Sequence, residues 1–416
     1  MFDKRGWRIC LSLLAVVLLA AACGSDDDDA DQAAPATTAA PAPADDAPEP
    51  ADDGAEPADD GGAADDAAEP ADDAMESTDD DDMAEPAILW DVPANGNSDE
   101  WVTWDSSTCA YVSAADHPDL WVPAPVSSNG DLVVGFGAQD TVNEVNITMN
   151  ESMDRAGGAA DVVLAIADYQ FPSTSEPISA AQSIVVREPS VVVSNNQLDD
   201  VLDSVNEIYV EACIPVVQVV TASAGTVLFG PSNAGMGVLE GERLVDFANS
   251  QGWTADNTTL FTTFFSPAGP EVALRASVCA DVVKEAFPGI ESVEHDTTST
   301  TSLELQNNFT DMLTANPDAE NILSCTVADL WALANAEALK VAGRHATAAV
   351  TGVNGGSAVL DAIIEGDTAL VGSVDLGAAL WGEYWIPLAQ DIAAGHPVPT
   401  EVFAPIIMLP EELPTR

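Results

Sequence analysis

From residue 131 onward, short aliphatic runs alternate with stretches of helical periodicity. The runs are Leu132-Val133-Val134, Val162 to Ile166, Val191-Val192-Val193, Ile214 to Val220, Leu260 to Phe265, Ile322-Leu323-Ser324, Ala348 to Val353 and Ala369-Leu370-Val371. Near-continuous β-branched runs are the signature of strands buried on both faces, as in parallel sheets. Between them, positions such as Val272, Ala276, Cys279, Val283 and Phe287 recur at spacings of three or four and share one helix face. Pro288-Gly289 then stops that helix. Strand–helix alternation predicts an α/β fold with doubly wound parallel sheets. The alternating region is too long for one core, so two Rossmann-like lobes are expected. In such sheets ligands sit beyond the carboxyl ends of the strands.

The first 130 residues break this rhythm. Residues 87–130 concentrate Trp90, Trp101, Trp104, Tyr111 and Trp121 around Cys109. That many aromatics implies packing, and we expect an irregular extension on the first lobe, with a ligand lid as the alternative. Residues 23–86 are read as an acidic tether. After Cys23 they hold no Lys or Arg, and Glu-Pro-Ala-Asp-Asp recurs at Glu49, Glu56 and Glu69. Such a segment buries too little apolar surface to offset its ordering entropy. Its carboxylates lack the loop spacing of a calcium site. Residues 1–22 read as a signal sequence. Lys4, Arg5 and Arg8 precede the apolar run Ile9 to Ala22, which is too short to span a bilayer. Ala20-Ala21-Ala22-Cys23 then resembles a bacterial lipobox, with Ala20 where a larger aliphatic residue is usual. The expected localisation is the outer face of the cytoplasmic membrane, with a lipid on Cys23. Ordinary signal cleavage near the same point is the alternative.

Composition narrows the partners. The 416-residue chain has 11 Lys plus Arg against 70 Asp plus Glu, a formal net charge of -59. Such a surface repels nucleic acid and anionic lipid headgroups. Of the six Cys, Cys10 falls in the signal and Cys23 at its end, leaving Cys109, Cys213, Cys279 and Cys325 as disulfide candidates. No Cys shows metal-site spacing and the four His are scattered, so no metal is expected. Gly135-Phe136-Gly137-Ala138-Gln139-Asp140 begins like a dinucleotide loop but lacks the third glycine. Gly230-Pro231-Ser232-Asn233-Ala234 is not a nucleophile elbow, since Ala234 takes the second glycine position. No Walker loop or His-Glu-x-x-His is present. We therefore expect no catalytic residues and no cofactor.

Several motifs, in order, resemble the type I periplasmic binding proteins of the ribose-binding-like sugar group. Glu211 to Val217 resembles the "A-G-I-P-V-V" strand entry, with Cys213 in place of Gly. Gly230-Pro231-Ser232-Asn233 to Gly237 resembles "G-S-D-N-x-x-x-G". Leu313 to Asp318 with Ala336 to Gly343 resembles "L-x-A-N-P-D … A-L-x-A-G", and Gly352 to Gly355 resembles "G-F-D-G". Ile363 to Asp367 and Ala394 to Pro399 are similar to the family's tail. The resemblance covers residues 131–410. It implies lobes of 131–231 with 376–403 and 232–375 with 404–416, joined by a three-segment hinge. It implies an ABC-importer solute-binding protein that is a monomer and not an enzyme. Such a protein captures a small-molecule ligand, a sugar or related polyol, by lobe closure and delivers it to a permease.

Carried over by residue, the resemblance implies ligand contacts from Asn143, Arg275, Asp329, Asn354 and Asp375. At Val145 and Asn146 the family's two stacking aromatics are missing. Four of the five candidates have a structural alternative. Asp329 and Asn143 could cap helices, Arg275 could pair with a surface acid, and Asn354 before Gly355 could shape a turn. Trp331, Trp381 and Trp385 read as core or lobe-edge residues. Disulfides Cys109–Cys213 and Cys279–Cys325 would each stay within one lobe, whereas Cys213–Cys325 would lock the cleft. Two other functions compete. A sensory lipoprotein of this fold would bind a receptor in place of a permease. A surface hydrolase would need a nucleophile and a base, and no motif supplies them. A related transcription regulator is excluded by the signal and by the missing DNA-binding helices.

Overall fold

The computed structural model describes residues 97–116, 131–139 and 143–414. The expected signal sequence, Cys23 and the acidic tether lie outside the described residues, as do 87–96 and 117–130 of the aromatic-rich segment.

A hairpin of β1 (Trp101–Asp105) and β2 (Ala110–Ser113) comes first. The first lobe then builds β3 (Val133–Gln139), α1 (Glu144–Ala159), β4 (Val163–Tyr169), α2 (Glu176–Val185) and β5 (Val191–Ser194). It continues through α3 (Asp199–Glu211), β6 (Val216–Val219) and β7 (Val227–Gly230). The second lobe begins with α4 (Asn233–Gln251), β8 (Thr258–Phe265), α5 (Gly269–Ala286), β9 (Glu291–Thr297) and α6 (Ser302–Ala315). Next come β10 (Asn321–Cys325), α7 (Asp329–Val341), β11 (Ala348–Asn354), α8 (Ser357–Glu365) and β12 (Leu370–Asp375). Helix α9 (Trp381–Ala393), β13 (Val398–Pro399), β14 (Glu401–Phe403) and β15 (Ile407–Leu409) close the chain.

Among the described residues these strands form two six-stranded sheets and a small third one. The first lobe has the order β4-β3-β5-β6-β7-β14, all parallel. The second has the order β9-β8-β10-β11-β12-β15, parallel except for β15. The chain changes sheet after β7, after β12 and after β14, which makes the three-segment hinge. In each sheet the strand order reverses beside the first strand, between β3 and β5 and between β8 and β10. Helices on either side of such a reversal diverge and leave a crevice at the strand carboxyl ends.

The central strands β3, β5 and β6 are wholly buried, which is why they read as unbroken aliphatic runs. Edge strand β9, Glu-Ser-Val-Glu-His-Asp-Thr, is half exposed and alternates, so no aliphatic run betrays it. Gly135 to Gln139, the candidate dinucleotide loop, lies inside β3. A Cβ on Gly135 would stand 2.6 Å from Ile184, so the glycine serves packing, not phosphate binding.

Helices α4 and α5 pack unusually closely. A Cβ on Gly237 would lie 2.6 Å from the Arg275 carbonyl, and one on Gly241 2.6 Å from Val282 Cβ. The two glycines, one turn apart, let α5 approach and set Arg275 against α4. Helix α9, which begins six residues after β12, buries Trp381 and Trp385 in the first lobe's core. Their rings contact Phe229 and Phe136 at centroid distances of 5.5 and 5.4 Å. The hinge is thereby anchored on that side.

Residues 97–116 are not irregular. Strand β1 pairs antiparallel with β13 as well as β2, and Trp104 sits on Tyr111 at 5.1 Å. A disulfide joins Cys109 in the hairpin turn to Cys213 after α3. A second joins Cys279 of α5 to Cys325 at the end of β10. Each lies within one lobe. No helix among the described residues is long and apolar enough to cross a membrane.

Candidate ligand-binding site

The strand carboxyl ends of both lobes converge on one cleft with two contiguous chambers. The large chamber, about 800 Å³, is lined by Asn143, Glu144, Asp329, Asn354 and Asp375 among others. The small chamber, about 100 Å³, is lined by Gln139, Asn143, Asn146, Gln197, Arg275 and Asn354 together with apolar side chains. Phe171 and Trp331 border both. All five residues singled out from the sequence therefore face one cleft. Four reach the large chamber, and Arg275 reaches only the small one.

Arg275 is not a surface ion-pair partner. It is 5% exposed, and its Nε donates to Asn233 Oδ1 at 2.8 Å and its Nη1 to the Val327 carbonyl at 3.1 Å. Burial lowers its guanidinium to about 10, with the charge of Glu240 opposing the fall, so it stays cationic at neutral pH. Glu240 of α4 is fully buried behind it. Its oxygens lie near the Thr351 hydroxyl and the Thr326 N–H but make no hydrogen bond of normal geometry. Desolvation holds its carboxyl well above the usual range, Asp329 adding to the rise and Arg275 opposing it.

Asp329 does not cap α7. It is the first residue of that helix, and its carboxylate reaches out of it. Oδ1 accepts from Ser373 Oγ at 2.6 Å and Oδ2 from the Gly356 N–H at 2.7 Å, tying α7 to β12 and to the start of α8. Burial pushes its carboxyl up to about 7 against these two hydrogen bonds, with Glu144 and Asp375 adding repulsion. Asn143 does cap α1, accepting from the Val145 N–H at 3.2 Å, and also borders both chambers. Asn354 has a φ of 132°, which turns the chain into Gly355 while its side chain lines both chambers. Asp375 accepts from the Gly377 N–H at 2.8 Å and shapes the second crossing.

Sequence reasoning missed the aromatic wall. Phe171, Phe265 and Trp331 form a chain of ring contacts, 6.0 Å between the first two and 5.1 Å between the last two. All three line the small chamber. They come from the β4 end, the β8 end and α7, so no single motif holds them. The available signal was position: Phe265 closes a strand run, and Phe171 follows one. Trp381 and Trp385 are core, and Trp331, also buried, stands at the cleft edge of its lobe, as the core or lobe-edge reading expected. Glu144, Gln139, Asn146 and Gln197 were also missed, because polar residues in an acidic chain carry little signal alone. Among the described residues no cluster of His, Cys, Asp and Glu is arranged to hold a metal ion.

Two mostly parallel sheets with a three-segment hinge and a cleft at their switch points define a two-lobed α/β binding protein. The model of the family described as "Periplasmic binding protein domain" matches residues 134–397, more than half of the sequence, and the chain belongs to that family. Its members are extracytoplasmic solute-binding proteins, not enzymes. No curated protein sequence matches. Solved structures share the fold. One is an ABC transporter solute-binding protein from Mycobacterium smegmatis with bound glycerol, 23% identical with a TM-score of 0.58, the match covering 68% of this chain and 95% of that one. Another, from Actinobacillus succinogenes with bound D-allose, is 16% identical with a TM-score of 0.57, covering 68% and 98%. A third, from Bacillus halodurans with bound myo-inositol, is 17% identical with a TM-score of 0.58, covering 69% and 96%.

Proposed function

We propose that this chain captures a small sugar or polyol in its cleft and delivers it to an ABC permease. The observation that carries the reading is the convergence of an aromatic wall with a guanidinium, amides and carboxylates, supplied by both lobes. A sugar offers apolar ring faces and a rim of hydroxyls that need such partners. Phe171, Phe265 and Trp331 would cover the ring faces. Asn143, Arg275, Asp329, Asn354 and Asp375 would bind the hydroxyls. The relatives that hold allose, glycerol and myo-inositol support the ligand class. The bodies that close are 131–231 with 376–403 and 232–375 with 404–416. Ligand contacts to both shift the population toward the closed form, which docks on the permease. The protein acts as a monomer held at the membrane by lipid on Cys23, with the acidic segment as tether.

A thermal-shift panel of pentoses, hexoses, inositols, nucleosides and amino acids tests this. A true ligand at a hundred times its Kd stabilises the folded state by ~2.7 kcal/mol. A panel in which only amino acids raise the midpoint, or nothing does, would sink the sugar reading.

A further inference from the structure

At the rim of the cleft, beside the ring contact of Phe171 with Phe265, a side chain hydrogen-bonds from lobe to lobe. Glu144, the first residue of α1, sends Oε2 across to the start of α8. There it accepts from the Ser357 backbone N–H at 3.1 Å and from Ser357 Oγ at 3.0 Å. The partners are 213 positions apart and lie on helices that flank different sheets. Two helix N-termini, those of α1 and α8, meet at this rim. Each carries about half a positive charge from unsatisfied N–H groups, so bare they would repel. A carboxylate between them satisfies one orphan donor and screens both ends. Asp329, from its own lobe, already occupies the adjacent donor, the Gly356 N–H. Gly356 leaves room for both acids: a Cβ there would stand 3.0 Å from Asp329 Oδ2 and 3.5 Å from Glu144 Oε2.

We propose that Glu144 is an inter-lobe latch that holds the cleft closed without a ligand and slows release of a bound one. This rests on reading the cleft as the ligand site, because only then does closure retain a solute. Ligand contacts then need not supply the whole closing free energy. The latch sets the ligand-free ratio of closed to open forms, and a bound solute shifts it further.

The test needs no ligand, so it separates from the question of what the protein binds. Spin labels at the exposed positions Val186 and Ile364, one per lobe, report the inter-lobe distance in the full chain. Glu144→Ala removes the acceptor. Ser357→Pro removes both donors at the first helical position, where proline is tolerated, and Gly356 already holds the extended φ of -65° and ψ of 145° that a following proline needs. Either change should move the closed-to-open ratio about fivefold toward open, as expected for one net hydrogen bond at a partly exposed site. The double variant should move it no further. With a ligand identified, the same variants should raise the dissociation rate more than they change the association rate. An unchanged distance distribution in Glu144→Ala, or fully additive effects in the double variant, would overturn the latch.

Discussion

Asp329 makes stability depend on pH in a direction opposite to most surface carboxylates. Its carboxyl is raised from 3.8 to about 7, mainly by burial. Below 3.8 the folded and unfolded states both bind the proton. Between 3.8 and about 7 the folded state keeps it and the unfolded state releases it, so stability falls as pH rises through this window. Above about 7 both are ionised and the slope vanishes. At ~1.4 kcal/mol per pH unit, the charged form costs the folded protein about 4 kcal/mol at pH 8 relative to pH 4. Asp329→Asn removes the titration and keeps the hydrogen bonds. Its amide oxygen can accept from Gly356 while its amide nitrogen donates to Ser373 Oγ, since a hydroxyl serves either way. Denaturant unfolding of both proteins from pH 4 to pH 8 gives the difference, in which the other acidic groups largely cancel. The variant should match the wild type near pH 4 and gain on it steadily to about pH 7. A difference that stays flat with pH, or a variant less stable at pH 8, would refute the buried-acid argument. A buried acid whose ionisation costs this much, on the wall of a cleft, fits the proposed binding role.

Other outcomes follow from the same geometry. Arg275→Ala, leaving Asn233 and the Val327 carbonyl without their donor, should weaken ligand binding by roughly 1.5–3 kcal/mol, about ten- to hundredfold, in calorimetry. Unchanged affinity with intact folding would remove it from the site. Gly241→Ala should cost ~1–3 kcal/mol of stability by driving a methyl into Val282, whereas Gly252→Ala, at an open position, should suffer only from its φ of 70°. Thermal unfolding ranks the two, and equal midpoints would mean α4 and α5 can part without loss. Replacing both Cys279 and Cys325 by Ala should lower stability by about 4 kcal/mol, the chain-entropy value for a loop of this length. A negligible loss in non-reducing denaturation would show that the bridge adds little.

The doubly wound class was legible in the sequence because its central strands are buried on both faces. Burial on both faces forces aliphatic runs such as Val191-Val192-Val193, and a run needs no partner to be recognised. Helix α5 was legible for the same local reason, one apolar face and a Pro-Gly stop. Strands that satisfy only one face or an edge, such as β9 and the short strands β13 to β15, leave no such run. The hairpin at 101–113 also escaped, since its pairing with β13 is fixed by residues almost 300 positions away. The candidate polar positions were readable from ordered motifs, but their environments were not. Whether Arg275 meets solvent or a buried Asn233 depends on two glycines of another helix. Whether Asp329 caps its own helix or reaches Ser373 depends on how two strands lie side by side. The aromatic wall of Phe171, Phe265 and Trp331 and the contact of Glu144 with Ser357 exist only when two sheets face each other. Local pattern records how a residue is solvated, while a site is defined by which distant residues share the space left between solvated and buried surfaces.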